Sequence, residues 1–127
     1  MHADKPEVIA ILDWELSTLG DSCADFSYHC MQYRMNPNLS DLEYCKETGI
    51  PAEKEYVSMY CEKTGSDLPE EWELYMAYNL FKSAGILQGI MGRVRDGTAA
   101  SKHAKDMAAR VRPLAESAWN LIEENFM

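Results

Sequence analysis

Read for the spacing of its apolar positions, the chain opens on an apolar, β-branched run, Val8-Ile9-Ala10-Ile11-Leu12, placed after a Lys-Pro-Glu turn. Such a run predicts a strand buried on both faces rather than an alternating surface strand. No other stretch reads as a strand. A lone strand leaves its backbone groups unpaired, so this one calls for a partner that the remaining residues do not obviously supply. Beyond Leu12 the period changes to that of helices. Asp21 suits a helix N-cap and opens a helix expected to reach about Tyr33, where Asn36-Pro37-Asn38 ends it. A second helix is expected from near Pro51 to Thr64-Gly65, carrying Tyr56, Val57, Met59, Tyr60 and Cys61.

The third predicted helix runs from about Pro69 to Arg95. Trp72, Tyr75, Met76, Leu80, Ala84, Leu87 and Met91 share one face, and Leu74, Ala77, Tyr78 and Phe81 the neighbouring one. A helix apolar over so much of its circumference belongs at the centre of the fold. Ser83, Ala84, Gly85 and Gly89 are expected to let neighbours approach closely. The fourth helix is expected over about Thr98 to Asn125, with Ala104, Met107, Ala108, Val111, Ala115, Ala118, Trp119 and Ile122 in one stripe. Pro113 should kink or split it. The fold class expected is therefore mainly α, one N-terminal strand followed by about four helices, in a single region spanning residues 1–127.

With 127 residues and 46% hydrophobic content, a core is within reach without disulfides or metals. The net charge of −9 argues against a nucleic-acid wrapper or a coat for anionic membranes, which need clustered Lys and Arg. That charge is uneven: residues 1–73 hold 16 acids and 5 bases, whereas residues 74–127 hold 5 acids and 7 bases. Arg93, Arg95, Lys102, Lys105, Arg110 and Arg112 form a basic stretch that reads as a solvated helix face, with a phosphate-bearing ligand as the alternative. Cys23, Cys30, Cys45 and Cys61 form no CxxC pair, and no histidine completes a zinc set. Free thiols in an intracellular, reducing compartment are expected. Neither a leader's apolar segment nor a membrane-spanning run is read in the chain.

Candidate chemistry gathers near the predicted strand. Asp13 would stand at its end, a rigid position from which a carboxylate still reaches solvent, and magnesium in nucleotide sites needs only one or two carboxylates beside phosphate oxygens. The plain alternative is a turn-forming aspartate. Glu15, Asp21 and Asp25 follow closely, with structural readings as loop acid, N-cap and first-turn charge favouring the helix dipole. His29 and His103 have no Ser or Cys partner at a legible spacing, and Trp14, Tyr28, Tyr33, Tyr75 and Tyr78 read as packing. No glycine-rich phosphate loop and no nucleophile elbow occurs.

The string Val8-Ile9-Ala10-Ile11-Leu12-Asp13-Trp14-Glu15-Leu16-Ser17-Thr18-Leu19-Gly20-Asp21, continued by Ala24-Asp25, resembles the aminoglycoside phosphotransferase and choline kinase-like family. Within it, the likeness is to the kinase-like domain of acyl-CoA dehydrogenase family members 10 and 11, and it extends through Gly49-Ile50-Pro51, Tyr60-Cys61 and Ile86-Leu87-Gln88-Gly89. The resemblance implies that Asp13 binds the magnesium of Mg-ATP and that Asp21 and Asp25 support the site structurally; Glu15, by its place two residues on, is a candidate to stand just behind the metal ligand. Ser22-Cys23 stand where the family has Pro and a bulky apolar residue.

The resemblance further implies the C-terminal helical part of a protein kinase-like fold. The N-terminal lobe and the catalytic loop lie outside these residues, and Met1 to Pro6 are similar to the turn that follows that loop. The expected function is a part of a Mg-ATP-dependent small-molecule phosphotransferase, with a hydroxy-acyl or similar hydroxyl acceptor, inactive by itself and holding neither ATP nor magnesium tightly. The missing lobe is its implied partner, and a mitochondrial or peroxisomal parent protein is admitted. The alternative is a non-catalytic helical interaction module, two copies of which pair through the exposed strand and helix faces. Neither nucleic acid nor a membrane is an expected partner.

Overall fold

A computed structural model describes residues 1–2 and 4–127. Ala3, within the expected turn over residues 1–6, lies outside the described residues. Among the described residues seven α-helices follow a one-turn 3-10 helix at Trp14–Leu16: α1 Ser22–Cys30, α2 Gln32–Met35, α3 Leu42–Thr48, α4 Glu53–Thr64, α5 Trp72–Arg95, α6 Ala104–Ala108 and α7 Val111–Phe126. A second short 3-10 helix, Pro37–Ser40, joins α2 to α3.

The expected strand is not formed; there is no strand among the described residues. Val8 is 65% exposed and Leu12 81% exposed, so the run expected to be buried on both faces stands in solvent as irregular chain. The physical reason is that a strand is a property of a pair. High β-propensity cannot repay backbone ordering where no second segment completes the hydrogen-bond ladder.

The helical expectations fared better, with informative shifts. Asp21 does cap α1, its Oδ1 accepting from the Cys23 amide at 2.8 Å. The helix expected to reach Tyr33 is two pieces, α1 and α2, divided at Met31. Asn36 leaves the helix at φ −116°, as a residue preceding proline must. The α3 helix was not foreseen from the pattern. It is seven residues long with Cys45 as its buried residue, too short for a periodic stripe, and its signal was the cap: Asp41 accepts from the Glu43 amide at 2.9 Å. The fourth expected helix is divided at Ala109-Arg110 into α6 and α7, consistent with Pro113 being unable to bond back to the Ala109 carbonyl.

The core lies along α5. Met76 and Leu80 are fully buried and are joined by Phe26, Cys30, Met31, Tyr33, Trp72, Ala84, Leu114 and Ala118. α1, α6 and α7 pack directly on α5. α4 is attached differently, by long side chains reaching across. The Phe26 ring stacks on Tyr60 with centroids 3.7 Å apart and lies 5.6 Å from Tyr56. The Tyr33 hydroxyl donates to the Pro51 carbonyl at 2.9 Å. Arg34 of α2 pairs with Glu53 of α4 at 3.0 Å and Glu73 of α5 at 2.8 Å.

Two packing expectations are corrected. Leu74, Tyr78 and Phe81 are exposed, and with Ala115, Ala118, Trp119 and Ile122 they line an open apolar groove of about 290 Å³ between α5 and α7. A Cβ at Gly85 or Gly89 would meet nothing within 4 Å, so close approach occurs instead at buried Ser83 and Ala84. All four cysteines are free thiols, as expected. Burial, with a smaller contribution from Glu53, pushes the Cys30 thiol up to about 12. No described helix is long and apolar enough to cross a membrane.

Candidate functional site

Asp13 is the one non-glycine residue with positive φ among the described residues, at φ 72° and ψ 47°. Left-handed backbone is tolerated by aspartate better than by most residues, and outside glycine it concentrates at functional turns. The turn is closed by its own polar groups. The Trp14 indole N–H donates to the Ile11 carbonyl at 2.7 Å, and Ser17 donates to the Trp14 carbonyl from its amide at 2.9 Å and its hydroxyl at 2.6 Å. Trp14, expected to pack, thus lies over its own loop and is largely exposed. The Asp13 side chain makes no capping bond to the 3-10 helix that follows, and the residue is exposed.

Asp21 is committed inside the chain at both oxygens. Oδ1 caps α1, and Oδ2 accepts from the Tyr75 hydroxyl of α5. The Tyr75 bond first, and the Cys23 amide second, hold the Asp21 carboxyl below its ordinary value; the same bond raises Tyr75. Asp25 lies exposed on the first turn of α1, and Glu15 is exposed in the 3-10 turn. The four acids do not converge: among the described residues no three or more His, Cys, Asp or Glu side chains form a metal cage.

Sequence reasoning missed the polar residues of α5 that face α1. Buried Asn79 donates to the Ala24 carbonyl at 3.0 Å and to Ser27 Oγ at 2.7 Å. Buried Ser83 donates to the Met31 sulfur at 3.5 Å. Their signal was present in the sequence as polar residues four apart on the most apolar helix, continuing from Tyr75. His29 rests beside the Tyr56 ring at 5.5 Å, exposed, and the six residues of the basic stretch are exposed as well. Arg95 pairs with Asp96 and Arg112 with Glu116.

Comparison with known proteins assigns this architecture. No family model matches the chain. It is 40% identical over 124 residues to acyl-CoA dehydrogenase family member 10 of Mus musculus, covering 94% of this chain and 12% of that protein. It is 37% identical over 130 residues to acyl-CoA dehydrogenase family member 11 of Homo sapiens, covering 98% of this chain and 16% of that one. A Ralstonia eutropha protein of solved structure, assigned as an aminoglycoside phosphotransferase, superposes with a TM-score of 0.87 at 43% identity, over 100% of this chain and 40% of its own. These similarities match the aminoglycoside phosphotransferase-like family that the string around Asp13 resembles, over a chain that spans 40% of the solved protein's length. Within that class its particular likeness is to a segment of acyl-CoA dehydrogenase family members 10 and 11, and it spans less than a fifth of their length.

Proposed function

We propose that these residues form the helical part of a Mg-ATP-dependent phosphotransferase acting on a small hydroxylated acceptor, with Asp13 as the metal ligand. The observation that carries the reading is the left-handed Asp13, presented by a self-closed turn within the string that resembles the family. A single exposed carboxylate suits magnesium, which takes one or two carboxylates and completes its shell with phosphate oxygens and water. When bound, the ion supplies charge neutralisation at the transferring phosphate.

The chain's own residues do the positioning. The turn from Ile11 to Ser17 leaves Asp13 and Glu15 exposed, and Asp21 anchors the start of α1, where Asp25 adds charge. The helices after Asp21 form the acceptor side, and a hydroxy-acyl group is the acceptor that the acyl-CoA dehydrogenase relatives suggest. Phosphoryl transfer depends on placing a base and a phosphate-binding lysine together with the metal. No His-Gly-Asp loop occurs in the 127 residues, so this chain alone transfers no phosphate.

The test is a magnesium titration followed by NMR. Saturable shifts at Asp13 and Glu15 in the millimolar range, lost in Asp13→Asn, are expected; a wild-type chain that shows no saturable response removes the metal role. Magnesium-dependent turnover of radiolabelled ATP by this chain, with hydroxy-acid or amino-sugar acceptors, would overturn its inactivity.

A second reading has its own observation. The exposed Val8 to Leu12 run and the α5–α7 groove, where Phe81 is 67% and Trp119 54% exposed, present apolar surface of the sort that binds another chain. A helical interaction module built on them should sediment as a concentration-dependent dimer, with Trp119 fluorescence changing on association. A clean monomer at high concentration rejects self-association.

A further inference from the structure

The contact between α1 and α5 contains a polar row that an apolar helix pair does not need. Tyr75, Asn79 and Ser83 are spaced four apart, so they form one stripe along α5. Their partners climb α1 in the same direction. Tyr75 meets Asp21, Asn79 meets Ala24 and Ser27, and Ser83 meets Met31. The two helices therefore run parallel with their hydrogen bonds matched turn for turn. Around the row, Phe26, Cys30, Met76 and Leu80 supply burial, which is non-directional and would tolerate a shift of one helix along the other. The polar row would not: a one-turn slip of about 5.4 Å takes buried Asn79 away from both its partners, while Ser27 keeps only its bond to the Ala24 carbonyl within α1.

We infer that Tyr75 and Asn79 are positioning residues that set the register of α1 on α5, and through the Asp21 anchor the placement of the Asp13 turn. The link to Asp13 rests on the metal-ligand reading above; the register of α1 does not. Asp21 thereby acts as an anchor rather than a ligand, because Tyr75 and the Cys23 amide occupy its two oxygens. The row is a specificity device more than a source of stability. Tyr75 meets Asp21 at an exposed position, where removing one hydroxyl changes local order more than global folding.

Tyr75→Phe tests this directly, with Tyr78→Phe as the control on an exposed tyrosine of the same helix. In Tyr75→Phe the thermal midpoint stays near that of wild type, the Cys23 and Ala24 amides exchange about tenfold faster, and the 15N order of residues 14–21 falls. The Asp21 carboxyl, followed by 13C NMR, titrates closer to its ordinary value. Asn79→Ala, if it folds, gives the same loosening at Ala24 to Ser27; if it does not fold, Asn79→Ser keeps a donor and restores order in part. The magnesium-induced shift at Asp13 weakens about threefold or more in Tyr75→Phe, as for loss of an outer hydrogen bond supporting a metal ligand. Unchanged exchange and order in Tyr75→Phe overturns the inference. A loosened turn in a chain whose wild type shows no magnesium response upholds the register role and rejects the metal role of Asp13 instead.

Discussion

Replacing Phe26 by alanine is expected to lower the unfolding free energy by about 3 to 5 kcal/mol, the range for truncating a buried aromatic. A loss of that size is a large part of what holds a domain of this length together. Its pattern should be uneven. Phe26 meets three other aromatic side chains, stacked on Tyr60 and tilted against Tyr56 and Trp72 at 5.6 and 5.8 Å. Those contacts are the main apolar tie between α4 and the rest, since α4 keeps no close backbone packing of the kind that α1, α6 and α7 have with α5. Hydrogen exchange should therefore show the amides of α4 losing protection before those of α5. Phe26→Leu keeps much of the apolar volume and loses the ring stacking, so its cost should be smaller, with about 1 kcal/mol assignable to the lost ring pairs. Uniform loss of protection across all helices would show that α4 is integral to the core and not a satellite held by rings.

Leu80→Ala is the second large effect, about 3 kcal/mol or more by urea denaturation, with the slope of the transition retained. Leu80 is fully buried at the middle of α5, between residues of α1 and α7. Neighbouring helices cannot close on the space left behind without moving their own contacts, so the cavity cost adds to the lost transfer energy. In contrast with Phe26→Ala, protection should fall together in α1, α5 and α7. Phe81→Ala, one residue further and exposed, should change stability little, which separates burial from mere apolar character.

Much of the helical order was legible in the chain because its determinants are local. Asp21 caps α1, Asn36-Pro37 ends α2, Gly65 at φ 66° closes α4, and Pro113 coincides with the break between α6 and α7. The family, too, was legible, because the string around Asp13 carries it and the comparisons agree. The apolar run at Val8 to Leu12 was misread for the opposite reason. Its composition states a preference for strand, but pairing depends on residues distant in the chain, and none is present here to complete it.

The difference between local and distant determinants also divides what is known of the site. The sequence by itself determined that carboxylates crowd the residues after Leu12 and that α5 would be the central helix. Only the tertiary structure decided which contacts those acids make. Asp21 accepts from a tyrosine 54 residues away, Asp13 lies in a left-handed turn with no cap to make, and Asn79, polar on a helix read as apolar, proves to be a buried partner of α1. The four-residue spacing of Tyr75, Asn79 and Ser83 is written in the chain, but which residues of α1 they meet becomes visible only once α1 lies against α5.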